Sequence, residues 1–136
     1  PLSNFELMSI CKKIKNFQGV FMRDEINNFP QTNNGSFILN TDSSENDGTH
    51  WTCLYIKNNT SLYFDPYGLP PPKEILKFCN SASDRIYSSF QIQNLNSVLC
   101  GHFCAYVLLR LNDGTAFFDV LGELYNNKNK YFIKQK

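Results

Sequence analysis

The stretch Gln93-Asn94-Leu95-Asn96-Ser97-Val98-Leu99-Cys100-Gly101-His102-Phe103-Cys104 runs from a polar loop into a cysteine. The apolar residues Phe103, Ala105, Tyr106, Val107, Leu108, Leu109 and Leu111 follow. That run is long enough, and rich enough in helix formers, to predict a buried helix over 100–111. Cys100 falls in its first turn, where unpaired backbone N–H groups and the positive end of the helix dipole favour a thiolate over a thiol. Gly101 leaves room for something to approach. Two readings are open here: a nucleophilic cysteine, or a small apolar residue that starts a core helix, since free cysteine is among the most buried residue types.

The whole chain narrows the choice. At 136 residues it is expected to form one domain, residues 1–136, with a real core. Its 42% hydrophobic and 15% aromatic content predict a globular rather than a disordered chain. A net charge of +1 gives no general electrostatic case for nucleic acid. No apolar segment approaches the length that spans a bilayer and no signal peptide opens the chain, so no membrane partner is expected. Cys11, Cys53, Cys79, Cys100 and Cys104 are an odd number without framework spacing. They read as reduced thiols of a cytosolic or nuclear compartment.

Ser3-Asn4-Phe5-Glu6 has the form of a capping box, and Leu7, Ile10, Ile14 and Phe17 follow at helical spacing, which predicts a helix over 4–16. Residues 20–22 are a short apolar segment, 23–34 a loop, 36–40 a buried strand and 41–49 an exposed loop. Residues 50–57 and 61–65 are two β-rich runs separated by Asn58-Asn59. Asparagine tolerates positive φ, so a two-residue type I′ hairpin turn is expected. That turn sets Asp65 opposite Thr52, on the face that His50 shares. His50 and Asp65 then become diagonal cross-strand neighbours, whereas a one-residue slip puts them on opposite faces. Further on, a helix from Pro72 to about Cys79, a strand over 86–92 and a helix over 117–125 packing through Phe118, Leu121 and Tyr125 are predicted. The tail carries Lys128, Lys130, Lys134 and Lys136, a solvated basic end or a phosphate-binding patch.

A cysteine nucleophile needs a base, an orienter for that base, and donors for the oxyanion. The chain offers one candidate of each kind. His50, one of two histidines, opens a strand beside a loop. The hairpin register aims Asp65 at it. Gln93 brings a neutral amide donor before Cys100, whose own N–H is a second donor. Alone, each has a plainer explanation: a strand-end histidine, a turn-capping carboxylate before Pro66, a loop glutamine. Their joint occurrence around a first-turn cysteine favours catalysis. A zinc module built on Cys100, Cys104, His102 and His50 is disfavoured, because Cys100 and His102 point to different helix faces and the spacing matches no common zinc site.

His50-Trp51, Tyr63-Phe64-Asp65-Pro66-Tyr67-Gly68, Gln93 with Asn96-Ser97, and Cys100-Gly101-His102-Phe103-Cys104 together resemble the adenain-type maturation proteases of adenoviruses, Polinton-type elements and virophages. The wider clan includes the SUMO-deconjugating proteases. The resemblance covers roughly residues 3–111. It implies an α+β fold with a mixed central β-sheet flanked by helices, and a cysteine endopeptidase with His50 as general base, Asp65 as its orienter, Cys100 as nucleophile and Gln93 in the oxyanion hole. Adenovirus enzymes carry Glu where Asp65 stands; Asp is common elsewhere in the clan. The implied substrates are viral capsid or core precursors, and the implied setting is the virion and the host cytoplasm or nucleus. The alternative on the same fold is a deSUMOylase or deubiquitinase-like isopeptidase. No cofactor is required. An activating peptide and DNA are family traits, with the C-terminal lysines as the candidate DNA contact. The nearest match to the family's peptide-anchoring Asp-Arg-Cys is Asp84-Arg85-Ile86, which lacks the thiol.

Overall fold

The computed structural model describes residues 2–41, 50–89, 91–92 and 99–135, with side chains placed as far as residue 126. Five strands form one mixed sheet in the order β1-β2-β3-β4-β5: Phe17–Met22, Asn34–Asn40, Trp51–Lys57, Thr60–Phe64 and Asp84–Tyr87. The outer pairs are parallel and the two central pairs antiparallel. Helices α1 (Asn4–Cys11), α2 (Lys73–Phe78), α3 (Cys100–Asn112) and α4 (Phe117–Gln135) flank it.

Strand alternation divides the core in two. Ile38, Cys53 and Phe64 face one side, where they cluster with Leu7 of α1, Phe103, Val107 and Leu108 of α3, and Val120 and Leu124 of α4. Phe37, Leu39, Leu54, Ile56 and Tyr63 face the other, under Ile75 and Phe78 of α2 and Ile26 of a 3₁₀ turn. Phe37 is fully buried and meets Phe29 and Phe78 edge-on, each with ring centroids 5.4 Å apart, an arrangement that adds to plain area burial.

The hairpin joining β3 and β4 has the expected register. Lys57 pairs with Thr60 and Cys53 with Phe64, and Asn58 and Asn59 both take positive φ, 50° and 69°, as a type I′ turn requires. A β-branched residue is strained there, so replacing both asparagines by valine is expected to lower stability by roughly 2 kcal/mol. Denaturant unfolding checks this: an unchanged midpoint would mean that the turn does not set the register.

Other expectations need correction. The Ser3–Glu6 capping box is present, but α1 ends at Cys11 rather than residue 16. Short-range turn bonds from Ile14 N–H to the Cys11 carbonyl and from Phe17 N–H to the Ile14 carbonyl carry the apolar spacing onward without a helix. Residues 17–22 form a strand where only a short apolar segment was expected. Pro72 caps α2 from an extended conformation instead of opening it. The strand expected over 86–92 is β5, four residues long; beyond it Ser88 and Ile92 are buried outside any strand, the Ile92 N–H bonded to the Pro66 carbonyl. α4 packs through Phe117, Val120, Leu121 and Leu124, while Phe118 is 81% exposed and Tyr125 is exposed. Of the two adjacent phenylalanines, the other one lies on the complete i, i+3, i+4, i+7 stripe. The loop expected over 41–49 falls, apart from Thr41, outside the described residues.

Candidate active site

The site lies at one end of the central strands, where α3 begins. His50 and Asp65 stand just outside β3 and β4, brought together across 15 residues of sequence by the hairpin. His50 Nε2 lies 2.6 Å from Asp65 Oδ1. A carboxylate can only accept, so Nε2 carries the proton and donates. Both residues are buried, which strengthens the bond by removing competing water. The same Asp65 oxygen accepts the Tyr67 N–H at 2.8 Å. The Gly68 N–H returns to the Asp65 carbonyl at 2.7 Å, so Asp65-Pro66-Tyr67-Gly68 is a closed turn with proline and glycine where such a turn favours them. Tyr67 lies flat on His50, centroids 4.0 Å apart and planes within 5° of parallel.

Cys100 is the first residue of α3, so its N–H is one of the donors that a helix N-terminus leaves without an intrahelical partner. Two sulfur contacts dock this helix end onto the first residue of β3. The Trp51 N–H donates to Cys100 Sγ at 3.5 Å, and the Cys104 S–H donates to the Trp51 carbonyl at 3.3 Å. Residues one helical turn apart thus grip the backbone N–H and C=O of one residue, and Cys100 is set beside His50. Cys104 is fully buried, as expected for a core residue. Close packing at Gly101 completes the joint: a Cβ there would lie 3.3 Å from both Leu7 and Trp51 side chains.

The electrostatics follow from this geometry. Burial pushes the His50 pKa down, but the Asp65 hydrogen bond and the Cys100 thiol outweigh it and the net position is raised to about 9. Burial pushes Cys100 up, but His50, the Trp51 N–H and the Gly101 N–H hold its thiol below the ordinary value. The two shifts together favour a thiolate–imidazolium pair. With Nε2 committed to Asp65, the nitrogen left for the thiol is Nδ1, which is buried and has no hydrogen-bond partner among the described residues. Cys11 and Cys104 show the contrast. Both are free and buried; burial raises Cys11 to about 11, and burial with Cys53 raises Cys104 well above the usual range.

The sequence-predicted residues therefore divide as follows. His50, Asp65 and Cys100 are brought together; Gln93 lies outside the described residues. Tyr67 was not singled out from the sequence, although an aspartate before Pro-Tyr-Gly signals a turn that fixes the residue two positions on. No group of His, Cys, Asp and Glu suited to a metal ion occurs among the described residues. Nor, among them, is any helix long and apolar enough to cross a membrane.

No protein-family model matches the chain, and no curated protein matches its sequence. Solved structures do match. A crystal structure of the ASFV pS273R protease aligns with a TM-score of 0.62 and 15% identity, over 93% of this chain and 65% of that one. A crystal structure of its Se-Met form gives 0.55 and 16%, over 93% and 66%. The chain thus spans just under two thirds of these solved chains. The α+β architecture, a mixed five-stranded sheet with flanking helices, is the cysteine-protease fold of that protein.

Proposed function

We propose that this chain is a cysteine endopeptidase with Cys100 as nucleophile, His50 as general base and acid, and Asp65 as the residue that fixes the imidazole. The observation that carries the reading is the division of one buried ring. Asp65 holds Nε2, and the unpaired Nδ1 is left to a cysteine at a helix N-terminus whose thiol is already biased toward ionisation. In this reading the Cys100 thiolate attacks the scissile carbonyl. The oxyanion is held by the Cys100 N–H and, by resemblance, the Gln93 amide. Imidazolium Nδ1–H passes its proton to the leaving amine as the C–N bond breaks, leaving a thioester. Water then gives a proton to His50 and attacks that thioester, returning the thiolate. The substrate class in this reading is a viral structural precursor cleaved during maturation inside the virion or infected cell. The adenain-type motifs support it, as does the likeness in fold to a protein whose name is a viral protease.

The test is a pH profile read in two ways. Alkylation of Cys100 by iodoacetamide needs only the thiolate. It is expected to run fast at neutral pH, below the ordinary thiol range, and to keep its rate above pH 9. Peptide hydrolysis also needs the imidazolium proton. It is expected to rise through the lowered Cys100 pKa and fall again as His50 deprotonates near 9. In His50→Ala the neutral-pH alkylation should slow to the rate of an ordinary thiol. Mass spectrometry showing unselective labelling, unchanged by that substitution, would refute the proposal.

A further inference from the structure

The capping box that opens α1 also reaches α3. The Ser3 hydroxyl accepts the Glu6 N–H and the Glu6 carboxylate accepts the Ser3 N–H, both at 3.1 Å. Leu2 and Leu7 then stand at the two positions of a hydrophobic staple, and both converge on Gly101. A Cβ on Gly101 would lie 3.3 Å from Leu7 Cδ2, 3.3 Å from Trp51 Cδ1 and 3.4 Å from Leu2 Cβ. The Leu2 carbonyl also accepts the Trp51 indole N–H at 3.2 Å. We infer that Leu2 is a positioning residue for Cys100: together with Leu7 and Trp51 it clamps the first turn of α3, and so holds the nucleophile and its backbone N–H in place. The assignment of a catalytic role rests on the protease reading given above.

The physical argument starts from the weakness of that first turn. Leu99 stands at the N-cap, and a leucine side chain has no acceptor to offer the first-turn N–H groups. Gly101, the second helical residue, lowers the local helix propensity further. A turn of this kind frays unless something outside the helix holds it. Fraying would be costly here, because Cys100 is the first helical residue. Its N–H and the favourable end of the helix dipole are both defined by that turn. The contacts on Gly101 take the place of the missing cap: without a Cβ, the helix backbone can be approached closely by Leu2, Leu7 and Trp51. Trp51 joins the clamp to the sulfur. Its indole N–H is held by Leu2, while its backbone N–H donates to Cys100 Sγ at 3.5 Å. Leu7 is fully buried, whereas Leu2 is half-buried and packs against the core from outside. Leu2 is therefore the part of the clamp that can be loosened without opening the core.

The experiment compares Leu2→Gly and Leu2→Met with the unaltered protein. The chain has one tryptophan, so its fluorescence reports this contact directly. Leu2→Gly removes the side chain and frees the backbone that carries the carbonyl. It should move the Trp51 emission to longer wavelength and shift the pH midpoint of Cys100 alkylation by iodoacetamide upward by roughly half a unit, the size of a helix-end charge effect. It should also lower kcat by roughly 10-fold with KM little changed. Leu2→Met conserves volume and should restore all three. A Leu2→Gly protein with an unchanged alkylation midpoint would overturn the inference, even if the emission moves, because the contact would then reach Trp51 and not Cys100. So would a Leu2→Met protein as impaired as Leu2→Gly, or a melting temperature so lowered that Leu2→Gly unfolds under assay conditions, which would make Leu2 an ordinary core residue. If the unaltered protein is alkylated at Cys100 but cleaves no peptide, the protease reading fails, and the alkylation midpoint of Leu2→Gly still decides this one.

Discussion

Cys100→Ala should abolish peptide cleavage, lowering kcat by at least roughly 10⁴-fold, as loss of a covalent nucleophile does. The fold should survive. Cys100 is buried, but it sits at the end of α3 and contributes one weak hydrogen bond, from the Trp51 N–H. The helix stays attached through the Cys104 bond to Trp51 and the Phe103, Val107 and Leu108 packing, so the stability loss should be about 1 kcal/mol. A further effect separates a catalytic from a structural cysteine. The thiol is one cause of the raised His50 pKa, so that pKa should fall below about 9 in the variant while Asp65 still supports it. Histidine titration, a thermal melt and an activity assay on one preparation test all three. A melt that collapses together with activity would make Cys100 a structural residue.

Asp65→Ala should cost both stability and activity. Asp65 is 1% exposed, and one of its oxygens serves His50 and Tyr67 together. Alanine leaves a buried imidazole without its acceptor and a turn N–H unpaired. Breaking a buried charged pair by removing one partner costs about 3–5 kcal/mol. The hydrolysis rate should fall by on the order of 10²–10⁴, because a free imidazole loses its tautomer and orientation. The alkaline limb of the pH profile should also move down, since Asp65 holds the His50 pKa up. Asp65→Asn separates the effects. Its amide oxygen can still accept from Tyr67, so most of the stability should return while the rate stays low. Full activity in Asp65→Asn would remove the carboxylate from the mechanism.

The sequence was most informative where structure is decided by neighbours. The Asn58-Asn59 turn and the alternation on either side of it are local, so the β3–β4 register and the meeting of His50 with Asp65 could be read directly from residue types. The start of α3 at Cys100 was legible for the same reason: an apolar run beginning after a polar loop. What the residues themselves did not reveal was docking. Nothing in the spacing says that Trp51 would be held by two sulfurs of α3, and so the distance between Cys100 and His50 came only with the fold. The phase of α4 was misread because Phe117 and Phe118 differ by 100° around a helix but not in chemistry. Parallel β1 and β5 were blurred because a parallel edge strand has no turn to mark its end. Gln93 remains assigned by resemblance.

The two-residue turn at Asn58-Asn59 also sets which kinds of genetic change the chain can survive. Substitutions there are graded events, each removing part of the folding free energy. A codon gained or lost between residues 50 and 65 is different in kind. It reverses the in-and-out alternation of everything downstream until the strand re-registers: a codon gained puts Tyr63 in the place of the fully buried Phe64 and Phe64 in the place of Asp65 beside His50, and a codon lost puts Asp65 and Pro66 there instead. The hairpin is therefore a ruler with a fixed length. Point changes within it are tolerated in proportion to their size, whereas length variation in this lineage of sequences would have to accumulate outside it.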